Sequence, residues 1–230
     1  MTITDAADPT RRGWGTYAFN AQPLRALSLS APHPKDDLET ADEAVEAYVA
    51  LGARTLLLAG TDRDQNTALA PCDQSSRPYL EADVGHTAES VFQMAFEEIY
   101  SSDVSTWHLQ FHGNATCQNG VAAAPATLYA LKANIEAAST AAAAGGPVLV
   151  ADVYDAAGDC ALRGTDNMQM RFASGLPHAS ICPTGSVPVG PSRFIHVEQR
   201  RDARRAPTDP SATPGRNRGV VVAGILATFP

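Results

Sequence analysis

Apolar residues gather in five short runs along the chain, at 26–30, 54–59, 107–111, 147–153 and 193–197. Each is bounded by charged or turn-forming residues, and runs of that length predict buried strands. The stretches between them carry a helical period. Residues 39–51 place Ala44, Val45, Tyr48 and Leu51 on one face and meet Gly52, a residue suited to the position just past a helix. Residues 87–100 put Val91, Met94, Ala95 and Ile99 on one stripe, with Glu97 and Glu98 outside it. Residues 125–144 are alanine-rich, begin at a proline and stop at Gly145-Gly146. Strands alternating with helices predict an α/β fold of three layers around a mixed, mostly parallel sheet. Residues 201–218, rich in Arg, Pro, Ser and Thr, predict an exposed loop, and 220–229 a closing helix or an edge strand. No internal repeat interrupts the pattern, so one domain over residues 1–230 is the expected organisation.

In an open α/β sheet, functional groups collect just beyond the carboxyl ends of the strands. The first run is followed by His33, Asp36 and Asp37, the second by Asp62, Arg63 and Asp64. The third reads His108-Leu-Gln110-Phe-His112, and the fifth Phe194-Ile-His196-Val-Glu198. Alternation along a strand puts His108, Gln110 and His112 on one face, and likewise Phe194, His196 and Glu198. A histidine with a carboxylate within one turn, joined by a second histidine from another strand, is the donor set of a catalytic zinc with one open position. His33, Asp37 or Asp36, and His112 meet that description. Glu198 is placed to take a proton from a metal-activated water. Plainer roles compete for each residue. Pro-His33-Pro reads as a turn, Asp36 or Asp37 as a cap for the following helix, and Glu198 as a partner of Arg200 or Arg201. Asp62 and Asp64, with His86, form a rival oxygen-rich set suited to magnesium, calcium or manganese.

Two further segments supply candidates for the substrate side. His86, in Glu81-Ala-Asp83-Val-Gly-His86-Thr87, precedes a predicted helix, where Asp83 or Thr87 would serve as its cap. The polar segment 162–171 contains Arg163, Asn167 and Arg171, and together with Arg63 these offer groups able to clamp a carboxylate.

Charge sharpens the picture. The net charge is −8, yet six of the basic residues fall between 200 and 218, so the remaining body is more acidic still. An acidic body excludes a nucleic-acid phosphate backbone as the expected partner. No apolar run is long enough to span a bilayer. A small-molecule or peptide-like substrate, drawn in by arginines that begin two residues after Glu198, is the expected partner, and that substrate would be anionic. Four cysteines at 72, 117, 160 and 182 contain no CxxC pair. The expected pairs are Cys72–Cys117 and Cys160–Cys182, which point to a secreted or extracytoplasmic setting. Against this, the amino terminus lacks the basic end and apolar stretch of a signal peptide, and four reduced thiols in a cytoplasmic protein are the alternative.

The segment Ser28-Leu-Ser-Ala-Pro-His33-Pro-Lys-Asp-Asp37-Leu-Glu-Thr40 resembles the first metal motif of the N-formylglutamate amidohydrolases and phage poly-γ-glutamate hydrolases, relatives of the zinc carboxypeptidases. Leu109-Gln-Phe-His112-Gly113 resembles the strand that delivers their second histidine. Arg193-Phe-Ile-His-Val-Glu198-Gln-Arg resembles the late strand carrying their catalytic glutamate. Motif order and strand context agree across residues 25–200. The resemblance implies a phosphorylase/hydrolase-like fold, one Zn2+ per chain on His33, Asp37 or Asp36 and His112, and hydrolysis of an amide or peptide-like bond with Glu198 as base. The carboxypeptidases usually place Glu three residues after the histidine. Here that position is Asp36, and the register through Thr40 favours Asp37. A non-catalytic binding module on the same fold is the competing expectation.

Overall fold

The computed structural model describes residues 14–72, 78–115, 119–122, 125–153, 162, 164–182 and 192–230. Among these residues seven strands form one sheet: β1 (Thr16–Phe19), β2 (Arg25–Ala31), β3 (Ala53–Leu58), β4 (Trp107–Gly113), β5 (Asn119–Ala122), β6 (Ala151–Val153) and β7 (Phe194–Gln199). Their spatial order is β1-β3-β2-β4-β7-β5-β6. The central four run parallel, while β1 joins β3 and β5 joins β7 antiparallel. The helices are α1 (Thr40–Leu51), α2 (Val91–Ser102), α3 (Pro125–Ala143), α4 (Met168–Ala173), α5 (His178–Ile181), α6 (Arg201–Arg204) and α7 (Arg218–Thr228).

Side-chain alternation divides the core into layers. Leu27, Leu29, Leu109, Phe111, Ile195 and Val197 face one side, against Ala44 and Leu51 of α1, Leu131 and Ile135 of α3, and Val221 and Ile225 of α7. Tyr17, Leu57 and Phe194 face the other, against Phe92 and Phe96 of α2 and Met170 of α4. The result is the expected mixed, mostly parallel sheet between two helical layers. Gly224 brings α7 close to α3, since a Cβ there would lie 2.4 Å from Ile135 Cγ1. The terminal run 220–229 is therefore resolved as helix, buried on the face that touches α3.

Several elements depart from the sequence pattern. β1 and β5 are four-residue strands that join β3 and β7 antiparallel, too short to show as apolar runs. Only the last three residues of the run at 147–153 join the sheet. α2 starts at Val91 because Ser90 Oγ accepts from Gln93 N–H at 3.0 Å, so neither Asp83 nor Thr87 caps it. The segment 201–218 is not simply an exposed loop: it contains α6, and it buries Arg204 and Arg218. Arg218 pairs with Glu46 of α1, and Arg204 donates to the Leu38 carbonyl. The cysteine pairing also differs. Cys72 is bonded to Cys182, so the expected partners of both are excluded, and Cys117 and Cys160 lie outside the described residues. Residues 72 and 182 meet because the loop after β3 packs on the Met168–Ile181 cluster, a contact that sequence spacing does not encode.

Glu43 is a buried acid on α1. It accepts from Gln199 Nε2–H at 2.7 Å, and its second oxygen has no partner. Burial pushes its carboxyl up to about 8, from 4.5. The folded state therefore holds a proton that the unfolded chain releases above pH 4.5. Stability from this group is complete below that pH and is lost as pH rises through about 8. Glu43→Gln keeps an acceptor for Gln199 and removes the titration. It should flatten the fall in Tm between pH 5 and 8, a component on the order of a few kcal/mol. An unchanged slope in thermal melts of the variant would refute the assignment.

Candidate metal centre

The first strand end builds half of the site within a single turn. Asp37 N–H donates to the His33 carbonyl at 2.8 Å, and Thr40 returns N–H and Oγ1–H bonds to the Asp37 carbonyl at 3.1 and 2.7 Å. That turn holds Asp37 Oδ2 at 3.4 Å from His33 Nδ1. From the end of β4, His112 presents Nδ1 at 3.7 Å from the same oxygen. The three side chains are buried. Ligand atoms about 2.0–2.2 Å from a shared tetrahedral ion sit roughly 3.3–3.6 Å from one another, so the spacing suits a cation of zinc's size. His33 Nδ1 and Asp37 Oδ2 have no hydrogen-bond partner. Buried orphans of this kind are costly unless a ligand satisfies them, and the donor set fits a metal. Asp37 does not cap α1. The capping position belongs to Glu39, in the left-handed region at φ 75° with no side-chain bond.

Each imidazole is held from behind. His33 Nε2 lies 2.8 Å from Asp83 Oδ1, and Gly85 packs over the ring, where a Cβ would approach Nε2 to 3.1 Å. His112 Nε2 lies 2.8 Å from Gln110 Oε1. Such outer partners orient metal-binding histidines and raise their basicity. The β4–β7 pairing sets Glu198 directly opposite His112. Glu198 Oε1 accepts from His196 Nε2–H at 2.9 Å, while its Oε2 is buried without a partner. Ligand atoms of His112, His196 and Glu198 lie within 4.8 Å of one another. Arg63 borders the cluster, with guanidinium nitrogens 3.8 Å from Asp37, 3.9 Å from Asp36 and 4.0 Å from Asp83. Its side chain is 23% exposed, which leaves this cation open to solvent at the edge of the site.

The electrostatics follow from burial set against charge. Burial lowers His33, but the nearby Asp37 carboxylate, 3.4 Å from Nδ1, and the Asp83 carboxylate bonded at Nε2 outweigh it and the net direction is upward. Burial raises Asp37 and Asp83, yet the close His33 ring, in ion-pair contact with Asp37 and hydrogen-bonded to Asp83, brings both below the usual carboxylate range. For His112, burial, then repulsion from His196 and His33, hold it well below its ordinary value. Burial likewise takes His86 down to about 4. At neutral pH His112 is thus a neutral imidazole, the form that binds metals.

The remaining candidates are distributed unevenly. Asp36 is exposed and accepts from Arg63 N–H at 3.1 Å, away from His112. His86 stacks on Tyr79 at 3.6 Å between ring centres, lies 6.4 Å from the His33 ring and bonds the Asp166 carbonyl. Arg171 is fully buried and not placed for substrate: its three nitrogens bond the Thr165 carbonyl, the Ile181 carbonyl and Asp166. Asn167 is also internal, because Oδ1 caps α4 and Nδ2–H donates to Gln110. The segment read as a polar loop turns into α4, which draws both residues into the core. Arg163 lies outside the described residues. Asp36, Asp62 and Asp64 form a second, solvent-facing group, which His86 does not join.

Sequence reasoning missed Asp83, Gln110 and His196 as partners of site residues, and Arg204 behind Asp37. The period-two spacing before His112 and Glu198 was the available signal for Gln110 and His196. Nothing in the sequence marks Asp83, fifty residues from His33. Arg204 lies so close that a Cβ on Gly113 would meet its guanidinium at 2.6 Å, and it acts electrostatically on Asp37 and Glu43.

No protein-family model matches the chain, and no curated protein matches it. Among solved structures, the chain is similar to the N-formylglutamate amidohydrolase from Ralstonia eutropha JMP134, at 15% identity and a TM-score of 0.48, over 94% of this chain and 95% of that one. It is similar to a bacteriophage poly-γ-glutamate hydrolase at 10% identity and a TM-score of 0.44, over 92% and 85%. It is also similar to the apo, zinc-free form of YNDL at 13% identity and a TM-score of 0.48, over 96% and 89%.

Proposed function

We propose that the chain is a zinc-dependent hydrolase of an amide or peptide-like bond, with one zinc per chain held by His33, Asp37 and His112. The observation that carries this reading is the convergence of three buried ligand atoms, His33 Nδ1, Asp37 Oδ2 and His112 Nδ1, the first two of which make no hydrogen bond. When bound, zinc supplies Lewis acidity and lowers the pKa of water toward neutrality. Glu198, with one oxygen anchored by His196, uses its other oxygen to take a proton from the attacking water and pass it to the leaving amine. Arg63, partly exposed at the edge, binds a substrate carboxylate. The exposed Asp36–Asp62–Asp64 group is a weaker home for an ion, since water already solvates its carboxylates. The Cys72–Cys182 bond supports an oxidising, extracytoplasmic setting. Among the described residues no helix is long and apolar enough to cross a membrane.

Elemental analysis after zinc loading and desalting should find about one zinc per chain. The loaded protein should hydrolyse N-acyl amino acids, and Arg63→Met should raise KM for them by at least about tenfold with little change for neutral amides. A folded protein that takes up no zinc would sink the reading. Zinc uptake without turnover on an amide panel would instead support a binding module, and calcium uptake surviving His33→Ala would move the site to the acidic group.

A further inference from the structure

Behind His112 runs a buried chain of side-chain amides that the proposed chemistry does not use. Gln110 Oε1 faces His112 Nε2 at 2.8 Å and Asn167 Nδ2 at 2.7 Å. Gln110 Nε2 faces Gln169 Oε1 at 3.1 Å. Gln169 Nε2 faces Gln93 Oε1 at 2.6 Å and the Val84 carbonyl at 3.0 Å. Gln93 Nε2 faces Glu97 Oε1 at 2.7 Å. Gln93, Gln110, Asn167 and Gln169 are all 2% exposed or less.

An amide has one accepting and one donating end, so a chain of amides has a direction, and neighbours of fixed polarity set it. Three such neighbours are present. The Met170 N–H donates to Asn167 Oδ1 at 2.8 Å and can do nothing else, so Asn167 must offer its NH2 to Gln110. The Val84 carbonyl only accepts, so Gln169 must turn its NH2 that way and its oxygen toward Gln110. The Glu97 carboxylate only accepts, so Gln93 turns its NH2 outward and its oxygen toward Gln169. Gln110 is thereby constrained twice, its NH2 toward Gln169 and its oxygen toward Asn167 and His112. An oxygen facing His112 Nε2 requires a proton on that nitrogen.

We propose that this amide chain fixes the tautomer of His112, with Gln110 as a positioning residue: it holds the proton on Nε2 and leaves the Nδ1 lone pair directed at Asp37 and the metal position. The metal part of this statement rests on the function proposed above; the tautomer part does not. Without the chain, a neutral imidazole would divide between two tautomers, one of which blocks Nδ1 with a proton. Position and proton are therefore specified by residues from β4, α4 and α2, well outside the ligand set.

The test is nitrogen-15 NMR of the histidines in the metal-free, full-length protein, joined to a zinc competition titration. Wild-type His112 should show a protonated Nε2 and an unprotonated Nδ1. Gln110→Met, which matches the side-chain length and removes the acceptor, should show both tautomers and bind zinc about 10–100-fold more weakly. Asn167→Asp retains the cap on Met170 and replaces the donor facing Gln110 with an acceptor; it should also erode the Nε2–H form, which keeps the test intact if Gln110→Met does not fold. A His112 that stays wholly Nε2–H in the folded variants, or zinc affinity unchanged in both, overturns the proposal. Wild type with Nε2–H but no zinc uptake would sink the metal reading and leave this one standing. Zinc uptake by a wild type protonated on Nδ1 would do the reverse.

Discussion

Glu198→Gln should lower kcat by about 10²–10⁴-fold, the usual worth of a general base, while zinc content stays at the wild-type level. The substitution is nearly isosteric on a buried strand. A glutamine oxygen still accepts from His196 Nε2–H, so the local hydrogen bond survives. What disappears is the second oxygen, which makes no hydrogen bond in the fold and whose basicity the proposed proton transfer uses. KM should move little, because the lost interaction belongs to proton transfer rather than to binding. Metal analysis beside steady-state kinetics separates the outcomes. Unchanged turnover would assign the base elsewhere. Loss of zinc together with activity would make Glu198 a ligand, in the grouping it forms with His112 and His196.

Asp37→Asn should have a still larger effect on the metal. The backbone bonds from Asp37 to His33 and from Thr40 to Asp37 do not involve the carboxylate, so the turn should persist. The lost anion is the one atom shared by both histidine contacts, at 3.4 and 3.7 Å. Zinc affinity should fall by more than the roughly 10–100-fold associated with losing an outer hydrogen-bond partner. Asp36→Asn should leave zinc binding within about twofold, since that carboxylate is partly solvated and engaged with the Arg63 backbone and guanidinium. A zinc titration of the two variants in parallel decides between adjacent acids that sequence register alone left open. Equal losses in both, or a greater loss at Asp36, would dismantle the proposed ligand set.

The parts of the site that could be read beforehand are those encoded by local spacing. His33 and Asp37 are four residues apart and meet because one turn brings them together. His112 and Glu198 end apolar runs, and the parallel pairing of β4 with β7 makes them neighbours. The same logic failed where a side chain's role depends on what packs against it. Arg171 and Asn167 look like substrate clamps in a polar segment, yet α4 buries both and engages their polar atoms internally. Arg204 looks like one of several solvated arginines, yet it lies behind Asp37. Cys72 and Cys182 are bonded across a separation of 110 residues, and no arithmetic on four cysteines selects that pair.

Periodicity alone determined the layered α/β plan, because a strand's alternation and a helix's period are properties of consecutive residues. The first half of the candidate metal site was legible the same way, since His33 and Asp37 lie within five residues. Tertiary structure alone decided which carboxylate of the Asp36–Asp37 pair faces His112, which acid backs His33, and in which direction the amides behind His112 run. Those outcomes depend on contacts between segments far apart in sequence. Burial makes their geometry strict, since a polar atom removed from water must find a partner of the right polarity.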